Sequence, residues 1–224
     1  MRFTTGALAL LALSAALHAP RHAAAQGKSF EGTVTFQASG EREGDNTFVY
    51  SMKGSRVRFE PQSARMPMFM IMDLEDKMMR MVMTGQNMYM EMPLPEADGE
   101  EAPVSKNAPV NTGRTDEVAG RKCEIWTMTE DGRSYEMCVA RDMGMFMQGG
   151  NPMARGRNAP PAWQRELRKG GFFPLRVAEV TGSGAKPVLV ATKIEEKKLD
   201  DSMFAVPSGM QKMSMPPGMG GRRP

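Results

Sequence analysis

The chain has 224 residues and a formal net charge of +3 at pH 7, and it contains 24 Met against 10 Phe, 3 Tyr and 2 Trp. This length suits one domain with a tail. The nearly balanced charge gives no indication of nucleic acid as a partner.

The first 25 residues have the features of a cleavable secretory signal. Arg2 supplies a positive start, residues 7–16 form a short apolar run, and residues 23–25 are all alanine. The apolar run is too short to span a bilayer, and no later segment has the length or apolarity of a transmembrane helix. We therefore expect a soluble exported protein of the periplasm that begins at Gln26; a retained membrane anchor is the alternative.

Both histidines of the chain, His18 and His22, fall within this predicted signal, so the mature chain would contain none. Without histidine, Ser-His-Asp and Cys-His nucleophilic sites and His-ligated zinc or iron sites are excluded. The absence of a C-x-x-C motif argues against redox catalysis. We expect a binding protein that is not an enzyme and has no cofactor.

Residues 26–208 form a predicted single β domain of short strands, indicated by alternating apolar residues between turn residues. Outside residues 66–92, the predicted strands span 30–37, 47–53, 56–60, 114–118, 122–128, 134–140, 172–180 and 187–196, with a final turn or strand at 201–207. Residues 93–111 are a predicted surface loop, and residues 209–224 are a predicted disordered tail rich in Met, Gly and Pro. A meander of about ten or eleven strands must curl or close.

Residues 141–171 interrupt the strands as a predicted lid-like insertion. Its methionines lie among Gly and Pro, and residues 162–169 form a predicted short helix. The methionines that would belong to the lid are Met143, Met145, Met147 and Met153, together with Trp163. The insertion also carries a basic cluster, Arg155, Arg157, Arg165, Arg168 and Lys169. This cluster indicates either a solvated surface or transient contact with lipid headgroups at a membrane surface.

Between residues 66 and 92, methionine recurs at every second position in three consecutive segments. A period of two places each set on one face of a strand. If residues 74–77 and 84–87 are hairpin loops, the methionines lie directly opposite one another and share that face. The predicted rows are Met68–Met83–Met88, Met70–Met81–Met90 and Met72–Met79–Met92. The sequence thus predicts a three-by-three grid of thioethers on one side of a sheet.

The order of several motifs resembles an exported bacterial family of unknown function that is related to the LolA-like outer-membrane lipoprotein carriers. The motifs are FEGTVTF at 30–36, MKGSRVRFE at 52–60, MYMEM at 88–92, VAGRKCEIWTM at 118–128 and FAVPSG at 204–209. The resemblance covers most of the mature chain. It implies a strongly curved antiparallel sheet, an incomplete β-barrel with helical elements over its open side. In the better-known relatives that concave side holds acyl chains, and no catalytic residues are implied.

The methionine grid has three interpretations. It fills a core, since Met adapts to irregular gaps. Alternatively it lines an apolar groove for a lipid or an acylated protein, since flexible thioethers reshape around varied chains. The third is a site for Cu(I) or Ag(I), which thioethers suit. For this metal alternative the exposed tail offers Met210, Met213, Met215 and Met219.

The acidic residues Asp73, Glu75 and Asp76 lie at a predicted hairpin tip, where carboxylates are usually solvated rather than bound to a cation. Of the three interpretations of the grid, we favour the acyl-chain groove as the function. The alternatives are a Cu(I)- or Ag(I)-binding protein and an envelope structural or interaction protein that uses the sheet edge or the tail to bind a partner. The sequence does not indicate an oligomeric state.

Cys123 and Cys138 flank a predicted hairpin. A turn centred on Glu130 and Asp131 places the two cysteines directly opposite each other, and Trp126 opposite Tyr135. Because export favours oxidation, we expect a disulfide between them. Two free thiols or a redox pair are the alternatives.

Overall fold

The computed structural model describes residues 30–40, 44–62, 67–94, 108–130, 132–144, 146, 163–164, 166–167 and 172–214. The described part of the chain contains twelve strands. They are β1 (Gly32–Gly40), β2 (Gly44–Lys53), β3 (Arg56–Pro61), β4 (Met68–Asp73), β5 (Met78–Met83), β6 (Met88–Pro93), β7 (Val110–Val118), β8 (Arg121–Glu130), β9 (Arg133–Ala140), β10 (Phe173–Thr181), β11 (Gly184–Glu196) and β12 (Gln211–Lys212). Two 3₁₀ helices span Thr84–Gln86 and Asp201–Phe204. The predicted mainly β class is therefore confirmed.

All twelve strands belong to one sheet, in the order β12-β6-β5-β4-β3-β2-β1-β11-β10-β9-β8-β7. Strands β1 to β6 form one meander of antiparallel neighbours, and β7 to β11 form a second. In the sheet the two meanders are joined by the pairing of β1 with β11, from Gly32 opposite Glu196 to Ala38 opposite Leu189. β12 and β7 stand at opposite ends of this order, so the sheet is open.

Gly32 permits the close approach of the two meanders at their junction. Its φ is 157°, and a Cβ atom built there would lie 2.1 Å from the carbonyl oxygen of Glu195. Any side chain at position 32 would therefore push β11 away from β1.

The sheet is curved where β8 approaches β11, although β9 and β10 lie between these two strands. At the start of β8, the Arg121 guanidinium forms an ion pair of 3.6 Å with Glu196 at the end of β11. The same guanidinium lies 5.3 Å from the centre of the Phe30 ring, just before β1. The backbone shows the curvature directly: β7 and β11 have Cα atoms within 8 Å of each other although three strands lie between them, whereas a flat sheet would hold them about 19 Å apart.

The main hydrophobic core lies on the inner face of this curved sheet and contains residues from β1 to β11. At its centre the ring of Phe146 packs against Phe36, Tyr50 and Phe173, with centroids 5.5 to 5.6 Å apart. Phe146 belongs to the predicted insertion, so side chains of the insertion fill part of the sheet's interior.

The predicted helix at 162–169 is described at four positions, Trp163, Gln164, Glu166 and Leu167, all of which are helical. Trp163 and Leu167 are buried in the main core. This segment therefore contributes to the core, and its action as a lid stays a prediction. The whole basic cluster and Met145, Met147 and Met153 lie outside the described residues, as does the whole predicted signal. No helix within the described ranges is long and apolar enough to cross a membrane.

The prediction of a disordered tail from residue 209 is wrong for residues 209–214. Residues 197–214, the C-terminal strap, run across the outer face of the sheet and end in β12, which pairs in parallel with β6. Residues 215–224 lie outside the described part of the chain. The predicted loop at 93–111 is also too long, because Val110 and Asn111 belong to β7. Residues 110–113 at the start of β7 have no apolar alternation that a sequence reading could detect, whereas the end of the strand at 114–118 was predicted.

Candidate functional site

The register predicted for the methionines is confirmed in all three rows. Met68, Met70 and Met72 of β4 lie opposite Met83, Met81 and Met79 of β5. The same residues of β5 lie opposite Met88, Met90 and Met92 of β6. By the alternation of strands these nine residues occupy one side, which we call the methionine face. Every residue of β4, β5 and β6 on this side is methionine, so these strands place no charge there.

Tight turns at both ends of β5 fix this register. In the β4–β5 turn the Asp73 carboxylate accepts hydrogen bonds from the backbone N–H groups of Glu75 and Asp76. The distances from these nitrogens to Oδ1 are 3.1 and 3.2 Å. Lys77 and Asn87 close the two turns with φ of 53°, in the left-handed region. Asp73 thus stabilises a turn, and within the described ranges no three His, Cys, Asp or Glu residues are grouped to hold a metal ion.

The methionine face is buried at one end and half-buried at the other. Met72, Met79 and Met92 are only 2 to 6% exposed, and Met70 is 4% exposed. These four pack in the main core, beside Val57 and Phe59 of β3. The remaining five residues are half-buried: Met68, Met81, Met83, Met88 and Met90. Only this half-buried end can contact a ligand without unpacking the core.

The outer side of the same three strands has a different composition. Phe69 and Ile71 of β4 and Val82 of β5 form a second hydrophobic cluster with Leu199 and Phe204 of the C-terminal strap. β-branched and aromatic side chains are the usual residues of strands. The buried outer positions Phe69, Ile71 and Val82 follow this rule, whereas the inner side of β4, β5 and β6 consists of thioethers alone.

The C-terminal strap adds a tenth methionine beside the methionine face. In β12, Gln211 lies opposite Met88 and Lys212 opposite Tyr89. The Met213 N–H continues this ladder by donating to the Tyr89 carbonyl at 2.8 Å. Alternation then places Met213 next to Met90, on the inner side of the sheet. Nothing in the sequence indicated this neighbour, because two parallel pairs are too short to leave a pattern.

Of the four tail methionines offered for the metal alternative, the structure describes Met210 and Met213. Met210 packs against the second hydrophobic cluster on the outer side, whereas alternation places Met213 on the inner side. Two described members of the predicted set therefore point away from each other. Met215 and Met219 lie outside the described residues.

Charged side chains near the site lie on the outer side of the sheet. Glu91 of β6 pairs with Arg80 of β5 at 3.0 Å and with Lys212 of β12. Hydrogen bonds from Lys212 and then Arg80 hold the pKa of the Glu91 carboxyl below its ordinary value. The same contact raises the pKa of Lys212. These ion pairs tie β12 to the sheet and leave the methionine face uncharged.

The predicted disulfide between Cys123 and Cys138 is present, with Cα atoms 5.3 Å apart. Its predicted register is wrong by two residues: Cys138 lies opposite Ile125, and Trp126 opposite Met137. The cause is the turn, since Glu130 pairs with Arg133 and leaves a two-residue Asp-Gly loop, with Gly132 at φ 76°. A shift of two keeps the side chains on the same face, so the cysteines still meet diagonally.

Comparisons with solved structures give distant likenesses. An uncharacterized conserved protein from Thermus thermophilus has a TM-score of 0.49 at 11% identity, over 84% of this chain and 91% of its own. PNGF-II has a TM-score of 0.45 at 13% identity over 82% of this chain, which spans only 30% of the PNGF-II chain. Because these TM-scores are below 0.5, neither likeness supports a conclusion about function.

A search of curated proteins finds no match to this chain. The family described as a domain of unknown function, DUF4412, matches residues 30–210. This range begins at Phe30, just before β1, and ends in the C-terminal strap, so it includes all but the last of the twelve strands. The chain therefore belongs to the DUF4412 family.

Proposed function

We propose that this protein is a non-enzymatic binding protein of the periplasm that holds an apolar chain, from a lipid or an acylated protein, against the half-buried end of the methionine face. The observation that carries the proposal is the gradient of burial along this face. Met72, Met79 and Met92 anchor one end in the core, while Met68, Met83 and Met88 are left half-buried. An acyl chain on these side chains would complete their removal from water.

The chemistry of the face supports this choice of ligand. Thioether side chains are unbranched and have three rotatable bonds, so they adapt to chains of different length and saturation. The inner side of β4, β5 and β6 carries no charge that would have to be desolvated. The resemblance of several motifs to LolA-like carriers points to the same class of ligand, as does the predicted secretory signal.

Release of the chain would require movement of the insertion. Met143 and Phe146 from its first residues, and Trp163 and Leu167 from its helical part, are buried in the main core. We infer that withdrawal of some of these side chains opens the space above the methionine face, at a cost in buried apolar area.

Lipid mass spectrometry of natively purified protein tests the proposal. Met81 and Met90 are each replaced by Gln, which keeps a similar size but makes the half-buried end polar. We expect co-purified lipid in the wild type and at least a tenfold lower yield in the double variant.

The matched control is Met203→Gln with Met210→Gln, since both residues pack against the second hydrophobic cluster on the outer side. The control should retain its lipid. Absence of lipid from the wild type, or equal losses in the two variants, would contradict the proposal.

A further inference from the structure

We propose that the half-buried thioethers of β5 and β6 form a binding site for one soft monovalent cation, Cu(I) or Ag(I). The site consists of Met81, Met83, Met88 and Met90. This inference goes beyond acyl-chain binding, because it requires sulfur at these positions and an apolar groove does not.

The register brings the four side chains together at the corners of a rectangle. Met81 lies opposite Met90, and Met83 lies opposite Met88. Opposite Cβ atoms in a sheet are about 5 Å apart, and residues two apart along a strand are about 7 Å apart. The centre of the rectangle is thus about 4 Å from each Cβ atom. Each sulfur lies two bonds beyond its Cβ, so three or four sulfurs can converge on one ion above the sheet.

Burial favours these four positions over the rest of the methionine face. Met72, Met79 and Met92 are 2 to 6% exposed and pack in the core, where their sulfurs have no access to an ion. Met81, Met83, Met88 and Met90 are half-buried, so an ion can reach them from solvent. Met213, which the strap places next to Met90, offers a fifth sulfur at the edge.

The available donors select the oxidation state of the metal. Thioethers are soft and neutral ligands, which suit Cu(I) and Ag(I) and discriminate against Mg²⁺, Ca²⁺ and Zn²⁺. The described residues include no histidine, and both cysteines form the disulfide. Thioethers are therefore the main soft donors that this part of the chain can offer, and Cu(II) finds no imidazole here.

The residue types on the two sides of β4, β5 and β6 differ, and this difference indicates that the inner side requires sulfur. Across β4, β5 and β6 the outer cluster uses Phe69, Ile71, Val82 and Tyr89, which bury well in strands without sulfur. If the inner side needed only apolar bulk, the same residue types would serve there. A site that coordinates a soft metal explains why the half-buried inner positions of β5 and β6, namely Met81, Met83, Met88 and Met90, are all Met.

Competition for Cu(I) with a chromogenic chelator tests the site, with ascorbate as the reductant and the signal-free full chain as the sample. The test variant replaces Met83, Met88 and Met90 by Leu, which keeps the apolar character and leaves one of the four sulfurs. The control variant replaces Met78, Met203 and Met210, three half-buried methionines outside the methionine face, by Leu.

We expect the wild type and the control to bind one equivalent and the test variant to bind at least tenfold more weakly, with Ag(I) giving the same order in native mass spectrometry. Circular dichroism during thermal unfolding establishes that both variants fold. Absence of competition by the wild type, or equal affinity of the test variant, would overturn the site. Loss of binding on deletion of residues 215–224 would likewise overturn it, by moving the site to the tail.

The same variants separate this inference from the proposed function. The test variant should still co-purify lipid, because leucine preserves an apolar face. Metal binding with no lipid in any sample would support the metal site and contradict the acyl-chain groove. Co-purified lipid with no metal binding would support the groove and contradict the metal site.

Discussion

At the scale of single residues, methionine has two roles on one surface. The alternation of Met in the sequence predicted every methionine pair between β4, β5 and β6, because a period of two and two short loops determine the register of a hairpin. The same alternation could not distinguish Met72, which is 2% exposed, from Met83, which is half-buried. That difference depends on which distant segments pack against each end, such as Val57 opposite Met72.

The burial gradient predicts different costs for identical substitutions. Met72→Ala leaves a cavity in the main core and should lower the free energy of unfolding by about 2 to 5 kcal/mol. Met83→Ala removes a half-buried side chain and should cost less than about 1 kcal/mol. Urea denaturation monitored by tryptophan fluorescence measures both. Equal costs would mean that the two ends of the face are packed alike.

At the scale of elements, the C-terminal strap determines whether the outer side of β4 and β5 is covered. Arg58 of β3 donates to the Met203 carbonyl at 3.1 Å, and Lys53 of β2 donates to the Leu199 carbonyl at 2.8 Å. The Arg56 guanidinium lies 5.4 Å from the centre of the Phe204 ring. The two motifs at 52–60 and 204–209, noted separately in the sequence, are thus in contact. Their partnership was not predictable, because neither motif has a periodicity that refers to the other.

Phe204 should be the main anchor of this strap. Its side chain is 5% exposed within the second hydrophobic cluster, so Phe204→Ala should cost about 3 to 5 kcal/mol in the free energy of unfolding. Phe69 and Ile71, which are buried in the wild type, should become exposed in this variant and bind a hydrophobic dye such as anilinonaphthalene sulfonate. Lys198→Ala, at an exposed position of the same strap, is the control and should change neither property. Unchanged stability of the Phe204 variant would show that the strap is held by its polar contacts instead.

At the scale of the whole molecule, the mainly β class and most strand positions followed from the sequence, since alternation and turn residues are local signals. The order of the strands did not, because the pairing of β1 with β11 joins segments that no local pattern relates. The aromatic packing of Phe146 inside the sheet was missed for the same reason: its surroundings in sequence are irregular and rich in Gly.

Acid should destabilise the folded protein through its paired surface carboxylates. Hydrogen bonds from Lys193 and then Lys197 lower the pKa of Glu195 from 4.5 to about 2. The pKa of Asp201 is also lowered, first by Arg56 and then by Lys53. A lowered pKa in the folded state contributes stability that is present above the unfolded value and is lost as pH falls through the folded value.

The urea midpoint should therefore change little between about pH 5.5 and 8 and fall steadily below about pH 4.5. The Asp201→Asn variant should be less stable than the wild type at neutral pH and should lose less of its remaining stability on acidification. A midpoint that rises toward low pH would contradict this assignment.

The junction of the two meanders determines the order in which this chain can fold. The Thr192 hydroxyl of β11 donates to the Thr35 carbonyl of β1, 157 positions earlier in the chain. Such long-range closure is slow, because a large loop must be ordered before its contacts compensate for the lost entropy. When the polypeptide emerges N-terminus first, β1 and β2 are available long before β11. The edge of β1 that pairs with β11 would therefore stay exposed until β11 has also emerged. An exposed strand edge can bind a chaperone, and it can also pair with another copy of the chain. Because such pairing is an encounter between two molecules, the refolding yield should fall strongly as the protein concentration rises.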